Sequence, residues 1–564
     1  MNDLAESIKK IIKLLFDIDA DIKLSRPDTE FGDFATNVAM QIAKSLGKNP
    51  HEIAEQLAEK LRETGDFSGV TVAGPGFINL RVKDSNLTNE LEKIIKGPSS
   101  YGKSELYQNK IVVTEYSDPN PFKVLHVGHF YTSVIGDAIS NLIESAGGKV
   151  HRVNFGGDVG LHVGKTMWAI IRKLDGENPE KLSAIDDSNR SKWMATCYVE
   201  GTRAYDEDEQ AKAEIISLNK KVYQFHADND HESAAAQIYW TCREWSYDYF
   251  NAFYKRIGTK FEKYYPESEV APIGLATVLE QINKGVYKES NGAIIFEGEP
   301  YGLHTRVFVN AEGLPTYEAK DVGLSIKKWD DYHFDESIII TGNDINEYMK
   351  VVLKSIEQFK PDLSARTKHV THGNVKLAGG VKMSSRKGNF IRAVDVLDMT
   401  ADENEAIQGN RNEAPVLGAI KYAFLKNRIG ADIIFEPKES VSLQGNSGPY
   451  LQYALARAKS IIQKLAYSNT EFNSPSDDYS RYERDLLFKF TEYPNVIEQA
   501  TTEFIPHHLC NYLFELAQIF NRFYENSKVV GDEREQIRLH LVMAYATILQ
   551  KGLTILGVPT PDRM

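Results

Sequence analysis

Cysteine is nearly missing from this chain: Cys197, Cys242 and Cys510 stand alone in 564 residues, far apart and with no CxxC pair. That spacing excludes a disulfide framework and a structural zinc site. Nowhere do about 20 apolar residues run together, so no membrane span is expected. Lys9, Lys10 and Lys13 are spread through an amphipathic pattern instead of preceding an unbroken apolar stretch, so the start reads as a helix and not as a signal peptide. A reducing cytoplasm is the expected compartment. Basic surplus is missing too. A formal net charge of −13 argues against bulk attraction to nucleic acid, although local Lys and Arg patches can still serve a polynucleotide.

What is present suits a large globular protein, since 42% hydrophobic and 26% charged residues are enough to build cores and a solvated surface. The length calls for three or four domains. The most informative stretch runs from Glu115 to His129, EYSDPNPFKVLHVGH. Ile111, Val112 and Val113 lead in as a β-rich run, and from Val127 apolar residues recur at helical spacing through Tyr131, Val134, Ile135, Ala138, Ile139 and Leu142. Gly147 and Gly148 end that helix, and Val150 to Phe155 reads as the next strand. Strand, helix, strand is the unit of a parallel doubly wound sheet, in which the helix N-terminus opens on a crevice suited to an anion. His126 and His129, three apart, share one face of that helix, and Gly128 removes the side chain that would keep a flat ring off the backbone. Taken alone, an HxGH string is as readily a capping or surface pair.

The whole stretch resembles the signature of class I aminoacyl-tRNA synthetases, and ProAsn with Lys123 is similar to its arginyl-tRNA synthetase form. A second string, GVKMSSRKGNF from Gly380 to Phe390, resembles the mobile lysine loop of the same class. Gly379, Gly380 and Gly388 would give that loop mobility. The resemblance implies that His126, His129, Lys123, Lys382 and Lys387 carry the chemistry. It also implies that ATP meets His126, Gly128, His129, Lys382, Met383, Ser384 and Ser385. Ser385 stands where the usual string has its second lysine, so the cation that meets the phosphates is open among Lys382, Arg386 and Lys387. ATP and magnesium are the implied cofactors, with no metal ligand assigned to the protein.

A guanidinium is planar and always charged, so a selective pocket needs carboxylates in its plane. The implied arginine contacts are Glu115, Ser117, Asn120, His126, Tyr317 and Asp321, the two carboxylates repelling each other until the cation enters. Arginyl enzymes carry a glutamine near Asn343 or Asp344 that this chain lacks, and neither residue is given a role.

The expected fold class is α/β multidomain: a Rossmann-like doubly wound parallel sheet with a helical insertion, an N-terminal α+β module and a C-terminal all-α bundle. The module covers residues 1–95, the catalytic domain 108–395 with its insertion at about 170–261, and the bundle 410–564. In the insertion, Phe250, Phe253 and Tyr254 fall at helical spacing and read as core. GDFATN at Gly32 to Asn37 and GPGFIN at Gly74 to Asn79 are similar to the module that contacts the outer corner of tRNA. The bundle resembles the anticodon-binding domain, which implies tRNA contacts at Tyr450, Tyr453, Tyr524 and Met564. The implied partner is a tRNA cognate for arginine, present before activation begins, and the family habit is monomeric. A related HxGH nucleotidyltransferase making a cofactor adenylate would leave both outer domains unemployed. A non-catalytic tRNA-binding relative would not need His126, His129 and Lys382.

Overall fold

The strand-helix-strand unit predicted around the two histidines forms the centre of the computed structural model, which describes residues 2–27, 31–378, 391–464 and 478–563. Ahead of it lies an α+β module. Its elements are α1 (Asn2–Phe16), β1 (Leu24–Ser25), β2 (Phe34–Thr36), α2 (Val38–Leu46), α3 (Pro50–Glu63), β3 (Phe67–Ala73), β4 (Phe77–Val82) and α4 (Asp84–Lys96). The strands form an antiparallel sheet in the order β1-β2-β4-β3. Helix α3 starts where the sequence says it should: Asn49 accepts a hydrogen bond from the His51 backbone at 2.9 Å, and Pro50 fills the first helical position, where a missing N–H costs nothing. Ile8, Ile12, Ile53, Leu57 and Leu61 bury against Ile78 and Leu80 of the sheet.

The central domain opens with β5 (Ile111–Glu115), α5 (Val127–Ser145), β6 (Lys149–Gly156) and α6 (Leu161–Lys173). Three insertion helices follow, α7 (Arg190–Glu207), α8 (Glu209–Ala227) and α9 (Ala234–Ile257), before β7 (Lys263–Pro266) and α10 (Glu267–Ile282). Phe250, Phe253 and Tyr254 of α9 are buried in the core. Next comes an antiparallel trio, β8 (Lys288–Ser290), β9 (Ala293–Phe296) and β10 (Arg306–Val309). The second half is completed by α11 (Tyr317–Tyr332), β11 (Glu336–Gly342), α12 (Asn346–Glu357), α13 (Pro361–Ala365) and β12 (Thr367–His372). The main sheet is wholly parallel, in the order β12-β11-β5-β6-β7. Helices cover both faces, which is why Val112, Val113, Ile338, Ile339 and Ile340 are apolar runs and not alternations. Chain order reverses between β5 and β11, where Glu115 lies in register with Ile339, so the crevice opens beyond their carboxyl ends.

Helices α10 and α11 touch backbone to backbone. A Cβ on Gly274 would lie 1.8 Å from the Ala319 carbonyl oxygen, and one on Gly323 2.2 Å from that of Val270. Only glycine permits that approach, and the first turn of α11 lies beside Glu267, which Lys320 meets.

The chain then runs through β13 (Val375–Leu377), α14 (Ala393–Gln408), α15 (Glu413–Leu425) and β14 (Ile433–Phe435), with β13 and β14 paired in parallel. The rest is helical: α16 (Pro437–Ser440), α17 (Gly448–Lys464), α18 (Arg481–Glu503), α19 (His507–Asn526) and α20 (Glu535–Ile555). The N-terminal module docks on α18. There Arg484 donates to Asp33 at 2.5 Å, to the Val82 carbonyl at 2.9 Å and to Asp84, and Phe34 packs on Phe488 with ring centres 5.1 Å apart.

Candidate active site

Between β5 and α5 the chain takes a path that side chains resist. Ser117, Asp118 and Phe122 all have positive φ, at 75°, 50° and 67°. Each such residue costs on the order of 1–3 kcal/mol and persists only where its surroundings over-determine it. Here they do. Ser117 Oγ pairs with the Tyr254 hydroxyl at 2.8 Å, Asp118 Oδ1 accepts from the Phe155 backbone at 2.8 Å, and Asn120 Oδ1 from that of Gly157 at 2.8 Å. The Phe122 N–H donates to Ser246 Oγ at 3.0 Å. The loop is thus pinned between the insertion and the glycine-rich turn after β6.

It delivers His126 to the N-cap of α5. The His126 Nδ1 accepts from the Gly128 N–H at 3.1 Å, and the Nδ1 of His129 accepts from the His126 N–H at 3.1 Å. With both Nδ1 atoms accepting, the hydrogen of each neutral ring belongs on Nε2. The rings stack, centres 3.7 Å apart. Burial, and then the ammonium of Lys123, lowers the His126 pKa to about 4. His129 falls well below its ordinary value through burial, His126 and Lys123. At neutral pH this helix N-terminus therefore carries two uncharged imidazole donors. Gly128 is required for a reason the sequence did not show: a Cβ there would lie 2.8 Å from His126 Cε1.

Lys382, Met383, Ser384, Ser385, Arg386 and Lys387 lie outside the described residues. Their neighbours do not: Ile391 accepts a hydrogen bond from the Val127 backbone at 2.9 Å, and the Ala393 N–H donates to Leu125 at 2.9 Å. The segment that carries the lysine string therefore rejoins the fold against the first turn of α5.

On the other side of the crevice lies an acidic cluster. Glu115, at the end of β5, is buried against the ammonium of Lys328, which also donates to Ser337 Oγ at 3.2 Å. Asp321, the fifth residue of α11, accepts from the Tyr348 hydroxyl. Burial, reinforced by the charge of Glu115, pushes its carboxyl up to about 8. Asp118 is also raised well above the carboxylate range, by burial and then by Glu115. A second buried pair, Lys320 with Glu267 at 2.5 Å, stands behind. Tyr317 opens α11 and is 54% exposed, with the Lys320 ammonium 5.1 Å from its ring centre. Asn343 and Asp344 sit exposed in the turn after β11, and the charge of Asp344 opposes the fall of the His126 pKa.

The structure thus brings together Glu115, Ser117, Asn120, Lys123, His126, Gly128, His129, Tyr317 and Asp321. Glu115 does not face an empty pocket as the sequence reading expects, because Lys328 already partners it. Sequence reasoning missed Asp118, Lys320, Lys328 and Tyr348. A signal existed for Lys328, which falls seven residues after Asp321 on the same helical face.

The helical bundle holds a separate group. Tyr450 of α17 accepts from Asn521 at 2.7 Å and packs edge-on against Phe514, while Tyr453 is 46% exposed. The Arg457 guanidinium lies 4.3 Å over the ring of Tyr524. Phe520 is buried against Tyr545. Met564 lies outside the described residues.

Three family models match the chain in succession. Arginyl tRNA synthetase N terminal domain spans residues 2–82, tRNA synthetases class I (R), catalytic domain, spans 90–436, and DALR anticodon binding domain spans 451–564. The chain is 30% identical over 579 residues to the arginine–tRNA ligase of Clostridium acetobutylicum, covering 100% of this chain and 99% of that protein. It is 27% identical over 600 residues to the one from Porphyromonas gingivalis, covering 100% of both. Among solved structures, the arginyl-tRNA synthetases of Thermus thermophilus and Plasmodium falciparum share the fold. Their TM-scores are 0.79 and 0.80, each at 22% identity, and the match covers 100% of this chain in both cases and 100% and 99% of theirs.

Proposed function

The chain belongs to the class I arginyl-tRNA synthetase family, and from that premise we propose how its residues divide the work of an arginine–tRNA ligase. The reaction joins arginine to ATP as arginyl-adenylate with loss of pyrophosphate, then moves the arginyl group to the tRNA 3′ end with loss of AMP.

His126 and His129 act as neutral N–H donors, which with the open end of α5 stabilise charge on the α-phosphate as it becomes five-coordinate. Lys123 and a cation of the lysine string, Lys382, Arg386 or Lys387, neutralise the β- and γ-phosphates. Positioning does the rest, since the arginine carboxylate is itself the nucleophile. Magnesium, which the family implies, finds no donor set here: among the described residues no three His, Cys, Asp or Glu side chains are grouped to hold a metal. It would arrive as the counter-ion of ATP.

Glu115 and Asp321 take the guanidinium, with Tyr317 as a wall, while Ser117 and Asn120 hold the other end of arginine. The observation that supports this reading is the juxtaposition at one crevice of an uncharged histidine pair on a helix N-terminus and three acids sharing one lysine. The first suits a phosphate, the second a cation. The DALR domain makes tRNA the partner, and we assign its anticodon contacts to Tyr450, Tyr453, Tyr524 and Met564. No described helix is long and apolar enough to cross a membrane. A cytoplasmic monomer is the proposed form, testable by sedimentation.

ATP–pyrophosphate exchange with each of the twenty amino acids, with and without tRNA, tests the assignment. Exchange should appear with arginine alone among them, and only when tRNA is present. Exchange with another amino acid would overturn the pocket assignment.

A further inference from the structure

Helix α7 of the insertion reaches the crevice by way of a glycine. A Cβ on Gly201 would lie 1.9 Å from the carbonyl oxygen of Lys165 on α6, so the two backbones touch there. Gly164 of α6 admits α8 in the same way, 2.9 Å from the Ile215 carbonyl oxygen. Because α6 begins directly after the glycine-rich turn that closes β6, α7 is held at a fixed distance from the loop bearing the histidines. Tyr198, three residues before Gly201, lies against Lys123, whose Nζ is 4.7 Å from the ring centre. Seven residues on, Tyr205 receives the Lys165 ammonium at 4.3 Å, so α7 presents a row of rings to lysines of the core. Among the described residues Lys123 has no carboxylate within ion-pair distance and no hydrogen bond. Its positive charge is felt at His126, His129 and His162.

We propose that Tyr198 is a positioning residue for Lys123, its ring face holding the ammonium beside the histidines without neutralising it. A carboxylate would fix the lysine equally well but would cancel the charge that the triphosphate needs. A ring quadrupole attracts the cation and leaves its charge intact. The proposal rests on the reading that Lys123 meets phosphate, so the test must separate the two.

Pyrophosphate exchange with tRNA present should be measured for Y198L, Y198F, K123M and the double variant Y198L/K123M. Y198L should raise the KM for ATP about three- to tenfold with the KM for arginine unchanged, the range expected for one cation–π contact. Y198F should stay within about twofold of the parent, since it keeps the ring. The double variant should match K123M. A graded series of fluorinated phenylalanines at position 198 keeps the shape while draining the ring face, and KM should climb with fluorine content. A flat series, a parent-like Y198L beside an impaired K123M, or equal damage in Y198F and Y198L would overturn the role of Tyr198. A parent-like K123M would instead overturn the reading on which it rests.

Discussion

Lys328 and Glu115, 213 residues apart in sequence, are buried against each other at the floor of the acidic crevice. Removing one partner leaves the other charge buried and alone, which costs about 3–5 kcal/mol. K328M should therefore lower the denaturant midpoint strongly, and K328M/E115Q should recover much of the loss. A double variant no more stable than K328M would show that the pair does not act as a pair. E115Q alone should raise the KM for arginine while ATP and tRNA bind as before.

If Asp321 takes the guanidinium as proposed, arginine binding should depend on pH. Its folded carboxyl, raised to about 8 by burial, lies above its unfolded value, so its contribution to stability is full below about 4 and is lost as pH rises through 8. A guanidinium needs the ionised form, so a proton must leave when arginine binds below pH 8. The KM for arginine should rise as pH falls below 8, by up to about tenfold per unit, and D321N should show a high KM with no such slope. A parent whose KM is flat from pH 6 to 8 would remove Asp321 from the pocket.

The histidine pair behaves in the opposite sense. The His126 pKa lies near 4 in the fold against an ordinary 6.5, so the unfolded chain takes up the proton first. Its contribution to stability is full above about 6.5 and is lost as pH falls toward 4, a trend that H126N should reduce. H126A and H129A should each cost about 3 kcal/mol of transition-state stabilisation, read as a low kcat with little change in KM. Near-normal exchange in both would exclude the histidines from the mechanism.

In the bundle, Y450A should weaken tRNA binding by about 1–3 kcal/mol for one unstacked base, loss of Met564 should weaken it too, and the KM for ATP should stay unchanged. Equal damage to both would point to unfolding. Y450F, which loses only the bond from Asn521, separates the ring from its hydroxyl.

The fold and the histidine pair at the head of α5 were legible because they are local. A β-branched run, a helical period and two histidines three apart all lie within a few dozen residues. The acidic side was not, because its partners meet only across strands and helices. Glu115 could be read, but Lys328 reaches it from the far end of α11, and Tyr348 reaches Asp321 from another helix altogether. Asp118 lies between Glu115 and His129, yet nothing local shows that its carboxyl is enclosed with two others. Tyr198 was invisible for a further reason: what aims it is the close approach of α7 to α6 at Gly201, a contact that exists only in the fold.

If Asp321 takes the guanidinium as proposed, the contact between α10 and α11 bears on how faithfully the genetic code is read. Gly274 and Gly323 let the two backbones meet, and Asp321 follows directly on the first turn of α11. A methyl group at either position would push that turn outward, beyond the roughly 0.5 Å within which a recognition constellation must be held. A fork of N–H donors would lose its match before a single ammonium did. Such a variant would charge arginine tRNA more slowly and admit lysine more readily. On the proposed pocket, the accuracy with which arginine codons are translated would depend on two methyl groups that are not there.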